Sequence, residues 1–446
     1  MSESHELTGW GRTAPTVAAT IRSDAAGVPD AVRRAGARGL IARGLGRSYG
    51  DPAQNAGGEV LLPVPGPLEV DAAAGVVRVA AGTSLHDLMV ELLPRGLFLP
   101  VTPGTRYVTV GGAIACDVHG KSHHVAGSFG QHVVSLDLVT ADGETRTIGP
   151  DRDPELFWAT VGGMGLTGVI TRAVLRTIPV ETSSMSVTTT RLPDLDAAMA
   201  AMRSTDAGFT YSVAWIDTLA RGRSLGRSVL SQGEHATRAE LTGRAVRHPL
   251  SAPASPRLAA PPHLPGGLVR PATVRAFNEA WYHKAPRHRS GEIQSISTFF
   301  HPLDGVGAWN RMYGPRGFVQ YQCVVPDDAE ETMTRIVERI SGQGHASFLS
   351  VLKRFGRGNP GLLSFPMAGW TLALDLPAHP GLGTLLEELD ELVVAVGGRV
   401  YLAKDARVGP ARLREMYPRL EDFLAVRSRV DPARVFRSDL SRRLEL

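Results

Sequence analysis

Four places in this 446-residue sequence combine residue types and spacings that could do chemistry. The first is the loop Arg43-Gly44-Leu45-Gly46-Arg47-Ser48-Tyr49-Gly50-Asp51. Several of its positions lack a Cβ, so successive backbone N–H groups can form an anion-binding nest, with two guanidinium groups beside it. The second, about sixty residues on, runs from Pro103-Gly104-Thr105 into Thr109-Val110-Gly111-Gly112-Ala113-Ile114-Ala115-Cys116-Asp117, whose small residues let backbone approach a flat ligand closely. Either loop alone is equally a tight turn; together they point to a flat, anionic ligand. The third place is His119-Gly120-Lys121-Ser122-His123-His124. Three histidines near Asp117 invite a zinc reading, but structural zinc sites favour paired spacings that are missing here. A polar pocket wall, with His119 able to handle a proton, fits better. The fourth is Tyr401-Leu402-Ala403-Lys404-Asp405. Lys404 can act as a base if burial and nearby cations lower its pKa from about 10.4, although on the residues alone a surface lysine paired with Asp405 is the simpler reading.

Two further glycine strings mimic phosphate-binding motifs. Gly163-Met164-Gly165-Leu166-Thr167-Gly168 spells GxGxxG, but a helix precedes it and a strand follows. A dinucleotide fingerprint needs the reverse order, so that the pyrophosphate meets a helix N-terminus. Gly120-Lys121-Ser122 resembles the end of a P-loop, yet Ala115 stands where the earlier glycine is required.

Short strands and helices must position these loops. Leu40 to Ala42 and Val76 to Val79 read as strands, and Thr83-Ser84 caps a helix to about Leu93. Val133 to Thr140 and Thr145 to Ile148 flank the hairpin signal Asp142-Gly143. Asp153-Pro154-Glu155 opens a helix, and Val169 to Ile178 is an apolar strand. Farther on come a strand after residue 183, a helix Leu195 to Met202 capped by Asp194, and the strand Tyr211 to Trp215. Residues 219–290 are rich in Arg, Gly and Pro (among them Pro249, Pro253, Pro256, Pro261, Pro262, Pro265 and Pro271) and read as an extended, mobile insertion. Its Arg221, Arg223, Arg227, Arg238, Arg244 and Arg247 form either a solvated face or an attraction for phosphate headgroups. Strands return at Phe318 to Val325, Trp370 to Leu376 and Arg399 to Leu402, with a helix at Asp328 to Ser341.

The length favours two domains. A net charge of +4 is mildly basic, which suits an anionic ligand or membrane surface and does not argue for nucleic acid. With only Cys116 and Cys323 there is no disulfide framework and no CxxC metal site. No signal peptide and no transmembrane run is read, which leaves a cytoplasmic or cell-envelope-associated location, with any membrane contact peripheral.

The pair of loops resembles the FAD-binding half of the vanillyl-alcohol-oxidase-type flavoproteins. The strings RGLGRSYGD, PGTRYVTVGGAIACDVHGKSHH, GSFG, ELFWATVGGMGLTG, HPLDGVGAWNRMYGPRGFVQYQ, LSFPMAGW, YLAKDAR and VDPARVF resemble, in order along the chain, the decaprenylphosphoryl-β-D-ribose 2-oxidase family. That resemblance implies a two-domain α+β fold: an FAD-binding α+β domain from residues 1–182 and 399–446, and a substrate domain with an antiparallel sheet from 183–398. It implies oxidation of the ribose C2 hydroxyl of a lipid-phosphate-linked ribose, electrons leaving the flavin for a quinone-type acceptor or dioxygen. A separate NAD-dependent reductase would complete epimerisation to the arabinose donor for cell-wall arabinan. Residues 43–51, that is Arg43, Gly44, Leu45, Gly46, Arg47, Ser48, Tyr49, Gly50 and Asp51, would hold non-covalent FAD. Gly104, Thr109, Val110, Gly111, Gly112, Cys116, His119, Ile170 and Tyr401 would complete that set. Lys121, Trp215, Gln320, Gln322, Lys353 and Lys404 would surround the sugar, with Lys404, His119 and Tyr49 as catalytic groups and no metal. Of the aromatics Trp215, Trp370, Phe355 and Phe365, only Trp215 is placed in the pocket, and only by resemblance. Three positions depart from the family: Phe300 stands for the usual Tyr, Thr371 for Asn and Ala373 for Cys. An FAD-dependent oxidase of free alditols or aldonolactones is the alternative reading, and a non-catalytic carrier of lipid-linked sugars a third.

Overall fold

A computed structural model of the chain describes residues 3–256, 258–261 and 269–446, with only the backbone of Arg244. Part of the expected insertion, including Pro262 and Pro265, lies outside the described residues. The architecture is mixed α+β with three main sheets. A four-stranded sheet takes Glu3–Leu7, Thr16–Ser23, Glu59–Pro63 and Leu40–Ala42 in that spatial order. Leu40 also bridges to Phe436, so the two ends of the chain meet beside the 43–51 loop. A five-stranded antiparallel sheet runs Leu68–Asp71, Val76–Ala80, Val169–Arg176, Val133–Val139 and Thr145–Ile148.

The third sheet has eight antiparallel strands, in the order His288–Ser295, Ser184–Leu192, Ser228–His235, Tyr211–Ile216, Ser350–Phe355, Gly369–Pro377, Phe318–Pro326 and Arg399–Val400. Strand side chains alternate between faces. On Gly369–Pro377, Trp370, Leu372, Leu374 and Leu376 are fully buried in the core. There the helices Glu330–Gln343 and Leu382–Val394 cover the sheet with their apolar stripes. The other face carries Thr371, Ala373 and Asp375, paired with Lys353, Gln322 and Gln320. A sheet with one greasy face and one polar face is thus set against the rest of the molecule, polar side inward.

Two expectations need correction. Residues 219–290 are not an unstructured insertion throughout: Ser228–His235 is an interior strand and Pro271–Lys284 a four-turn helix. The strand is hidden in sequence because Gln232, buried in it, is satisfied by Thr205 and Asp206 rather than by water. Nor is Arg227 free for headgroups, since it bonds Asp217 at 2.8 Å and Glu279 at 2.7 Å. Arg221 donates to the carbonyls of Ser341 and Gly342 at a helix end. The strand expected to run to Leu402 stops at Val400, and it pairs with the large sheet although the adjoining chain turns back to the 43–51 loop. Among the described residues no helix is long and apolar enough to cross a membrane.

Candidate active site

One cavity of about 950 Å³ lies between the loop-bearing half and the polar face of the eight-stranded sheet. Its first wall is the segment from Gly44 to Tyr49. Arg43 N–H bonds Leu61 and Tyr49 N–H bonds Ala403, but the N–H groups of the five residues between them make no hydrogen bond among the described residues. Five consecutive donors left free on the wall of a cavity form the kind of nest expected from sequence, open to an anionic acceptor. Glycine is required at 44, where a Cβ would lie 2.3 Å from Thr109 Oγ1. Arg47 lies over the Trp10 ring at 3.8 Å with its Nε unpartnered.

The second loop contributes closeness rather than donors. Val110 and Gly111 spend their N–H groups on Thr83 and Ala81, and Gly112 spends its own on the capping Thr109 hydroxyl. Gly104, Thr109, Gly111, Gly112, Cys116, Ile170 and Tyr401 line the cavity. Tyr401 donates to the Cys116 carbonyl at 2.7 Å, pinning the strap after the glycines. Met164, Gly165 and Gly168 also line it. The GxGxxG look-alike thus follows the helix-then-strand order expected, yet it still forms cavity wall, which spacing rules for helix-opening motifs had no means to reveal.

Four residues expected at the cofactor sit behind this wall. Arg43 donates to the carbonyls of Thr8 and Ala53, and Val110 is core. A Cβ at Gly50 would collide with the Asp405 carbonyl. Asp51 pairs with Arg443, which also bonds Asp405 at 2.8 Å. Arg43, Gly50 and Asp51 brace the loop. The Arg443 bridge also settles how Asp405 is used: its carboxylate takes Arg443 and the N–H groups of Arg407 and Val408, not Lys404.

Lys404 instead turns into the cavity, its Nζ 4.0 Å from the centre of the Tyr49 ring. Lys121 and Lys353 line the same space, and none of the three forms an ion pair among the described residues. Desolvation lowers Lys404 from 10.5 to about 8, with Asp375 opposing and Lys353 assisting. Burial brings Lys353 to about 8 and Lys121 to about 7. Lys121 is further held by the Phe299 carbonyl and ring. Tyr49 is pushed well above 10, chiefly by burial, and so keeps its proton.

Gln322 donates through Nε2 to His119 Nε2 at 2.9 Å, which fixes the imidazole proton on Nδ1, a buried atom without a partner. Burial, then the charges of Lys353, His123 and Lys404, hold His119 far below its usual pKa, so it is neutral. The three histidines diverge: His123 packs on Phe355 and His124 bonds the Phe209 carbonyl. No cluster of three or more metal-ligating side chains occurs among the described residues. Trp215 lines the cavity but its indole N–H is taken by the Phe348 carbonyl, so it offers a ring edge or face. Phe300 and Ala373 line the cavity; Thr371 lies beneath, donating to the Cys323 carbonyl.

Sequence reasoning missed Asp375. It is fully buried, raised to about 7 chiefly by desolvation, and bound by Gln320 through one oxygen while the other has no partner. Its signal was a lone carboxylate in the apolar run Trp370 to Leu376, two positions from Ala373 and hence on the cavity face.

Comparison with known proteins agrees with this geometry. Residues 18–149 match the FAD binding domain family and residues 377–444 the D-arabinono-1,4-lactone oxidase family. The chain is 47% identical, over 99% of its length and 97% of the relative's, to decaprenylphosphoryl-beta-D-ribose oxidase of Mycolicibacterium smegmatis. An L-gulono-1,4-lactone dehydrogenase of Mycobacterium tuberculosis is 25% identical over 93% of this chain and 92% of its own. The unsatisfied nest and the cavity it opens on fit an FAD pyrophosphate and ring system, and the chain belongs to the decaprenylphosphoryl-β-D-ribose oxidase family of FAD-dependent oxidoreductases.

Proposed function

We propose that this chain oxidises the C2 hydroxyl of decaprenylphosphoryl-β-D-ribose, or a close polyprenyl analogue, to the 2-keto sugar. The observation that carries this reading is Lys404, lowered to about 8 and without an ion-pair partner among the described residues, facing the same cavity as the N–H nest. Bound FAD supplies a hydride acceptor. The protein's task is then to take the hydroxyl proton and hold the carbinol carbon in line. Neutral Lys404 accepts that proton at Nζ. Lys353 and Lys121 stabilise negative charge on the sugar oxygen and on the adjoining phosphate, where low dielectric strengthens each contact. The Tyr49 hydroxyl, Gln320 and Gln322 orient the remaining hydroxyls, and His119 keeps the Gln322 amide turned correctly.

In this reading both ends of the chain, 1–182 and 399–446, form the FAD-holding part, and 183–398 the substrate part. An NAD-dependent reductase would consume the 2-keto product on the way to an arabinose donor, and contact with the membrane that stores the lipid would be peripheral. Deuterium at ribose C2 tests the chemistry: it should slow flavin reduction and be lost from the product, whereas deuterium at C1 should do neither. Retention of the C2 label in an oxidised product would refute it. The lactone-oxidase match over residues 377–444 favours free sugar lactones as a second reading. Flavin reduction by such a lactone at lower concentration than by the lipid-linked ribose would select it.

A further inference from the structure

The helix Pro271–Lys284 buries Val274 and Asn278 and leaves Phe277 and Trp281 about half exposed, at 43% and 44%. Its inner side is anchored firmly: Asn278 donates to Asp217 at 2.6 Å, and Glu279 takes Arg227. The two aromatic residues are four apart, hence on one face, and their rings stack with centroids 6.0 Å apart and planes 16° from parallel. Both also line the mouth of the active-site cavity. Large apolar side chains held rigidly in water at a cavity mouth mark a binding surface more often than chance exposure.

The rings continue inward. Phe277 meets Phe348 edge to face, Phe348 stacks on Tyr313, and Tyr313 stacks on Phe318 at 4.0 Å. Phe318 in turn meets Tyr49, the ring beneath Lys404. An unbroken file of aromatic contacts thus connects the reacting lysine to the exposed pair. Of its members Tyr49, Phe348, Phe277 and Trp281 line the cavity itself. A substrate whose sugar lies at Lys404 must carry its remaining atoms out of the cavity, and this wall is apolar.

We propose that Phe277 and Trp281, with Phe348 behind them, form the subsite for the first isoprene units of the substrate's lipid tail. The inference rests on the lipid-linked substrate proposed above and moves tail recognition from the arginines of the insertion to an aromatic helix face. Branched, unsaturated isoprene units pack well on ring faces, and such contacts are apolar and non-directional, so chain length beyond the helix is not read.

The experiment compares two substrates, a methylphosphoryl-β-D-ribose without a tail and a farnesylphosphoryl-β-D-ribose, on the FAD-loaded protein and on Phe277→Ala, Trp281→Ala and the double variant. Flavin content and thermal midpoint are measured alongside. Each truncation should lower the ratio of kcat/KM for the tailed over the tail-less substrate by about tenfold, mostly through KM, and Phe277→Leu should restore most of it. Equal losses on both substrates, or an unchanged ratio, would overturn the subsite. So would variants that lose binding to phosphatidylcholine vesicles while keeping the ratio, since the pair would then be a membrane contact. If neither substrate reduces the flavin of the unaltered protein, the proposed function fails and the subsite falls with it.

Discussion

Replacing Lys404 by alanine removes the cavity lysine that stands over the Tyr49 ring, and the size of the effect can be worked out. A lysine at 10.5 is neutral in about one molecule in 3,000 at pH 7, whereas one at about 8 is neutral in about one in ten. Burial beside Lys353 therefore raises the reactive form about 300-fold at neutral pH. Removing the group should slow substrate-driven flavin reduction by about 10²- to 10⁴-fold while FAD stays bound. The sign of the pH dependence follows from the same shift. Only neutral Lys404 accepts a proton, so the wild-type rate should climb about tenfold per pH unit below 8 and level off above it. Stopped-flow reduction under anaerobic conditions from pH 6 to 10 reads both effects. Lys404→Ala should be slow and nearly flat. A variant that keeps the wild-type rate, or keeps the rise centred near 8, would show that another group takes the proton. Neutral His119, far below its usual pKa, cannot produce that rise.

Gly44→Ala should abolish FAD retention without unfolding the sheets, because the new Cβ would press on Thr109 Oγ1; flavin absorbance of the purified variant reports it. Arg443→Met should leave Asp51 and Asp405 without their shared cation and loosen the nest, weakening FAD affinity and costing about 3 kcal/mol of stability. Acid precipitation should release the flavin into the supernatant, since Gly44 to Gly50 hold no His or Cys and burial pushes the Cys116 thiol up to about 11; colour in the pellet would mean a covalent link. Limited trypsin digestion should cut after exposed Arg247 before it cuts after Arg227 at the start of Ser228–His235, and early cleavage after Arg227 would contradict the strand's interior place in the sheet.

How much of this was legible in the sequence depended on whether a signal was local. Caps and hairpins were readable: Ser84 and Asp194 accept from the N–H groups of Asp87 and Ala197, as their types and positions predict. The nest was readable because glycine density and cationic residues mark such loops wherever they fold. The strand at Ser228–His235 was not, because its buried polar residues are satisfied by partners distant in sequence. The division of labour within the 43–51 loop was equally hidden. Nothing local distinguishes Arg43 and Asp51, which brace the loop through Thr8 and Arg443, from Arg47, which faces the cavity. Lys404 illustrates the limit most sharply: its neighbour Asp405 looked like its partner until Arg443, almost forty residues on, was seen to occupy that carboxylate.

The central claim is that one cavity holds FAD on the nest and presents a lipid-linked ribose to it beside Lys404. Mixing the oxygen-free, FAD-loaded protein with a polyprenylphosphoryl-β-D-ribose and following flavin absorbance tests it most directly. The account predicts rapid bleaching with one sugar oxidised per flavin and a 2-keto product. A flavin that stays oxidised with this substrate, while a free alditol or aldonolactone bleaches it, would contradict the account.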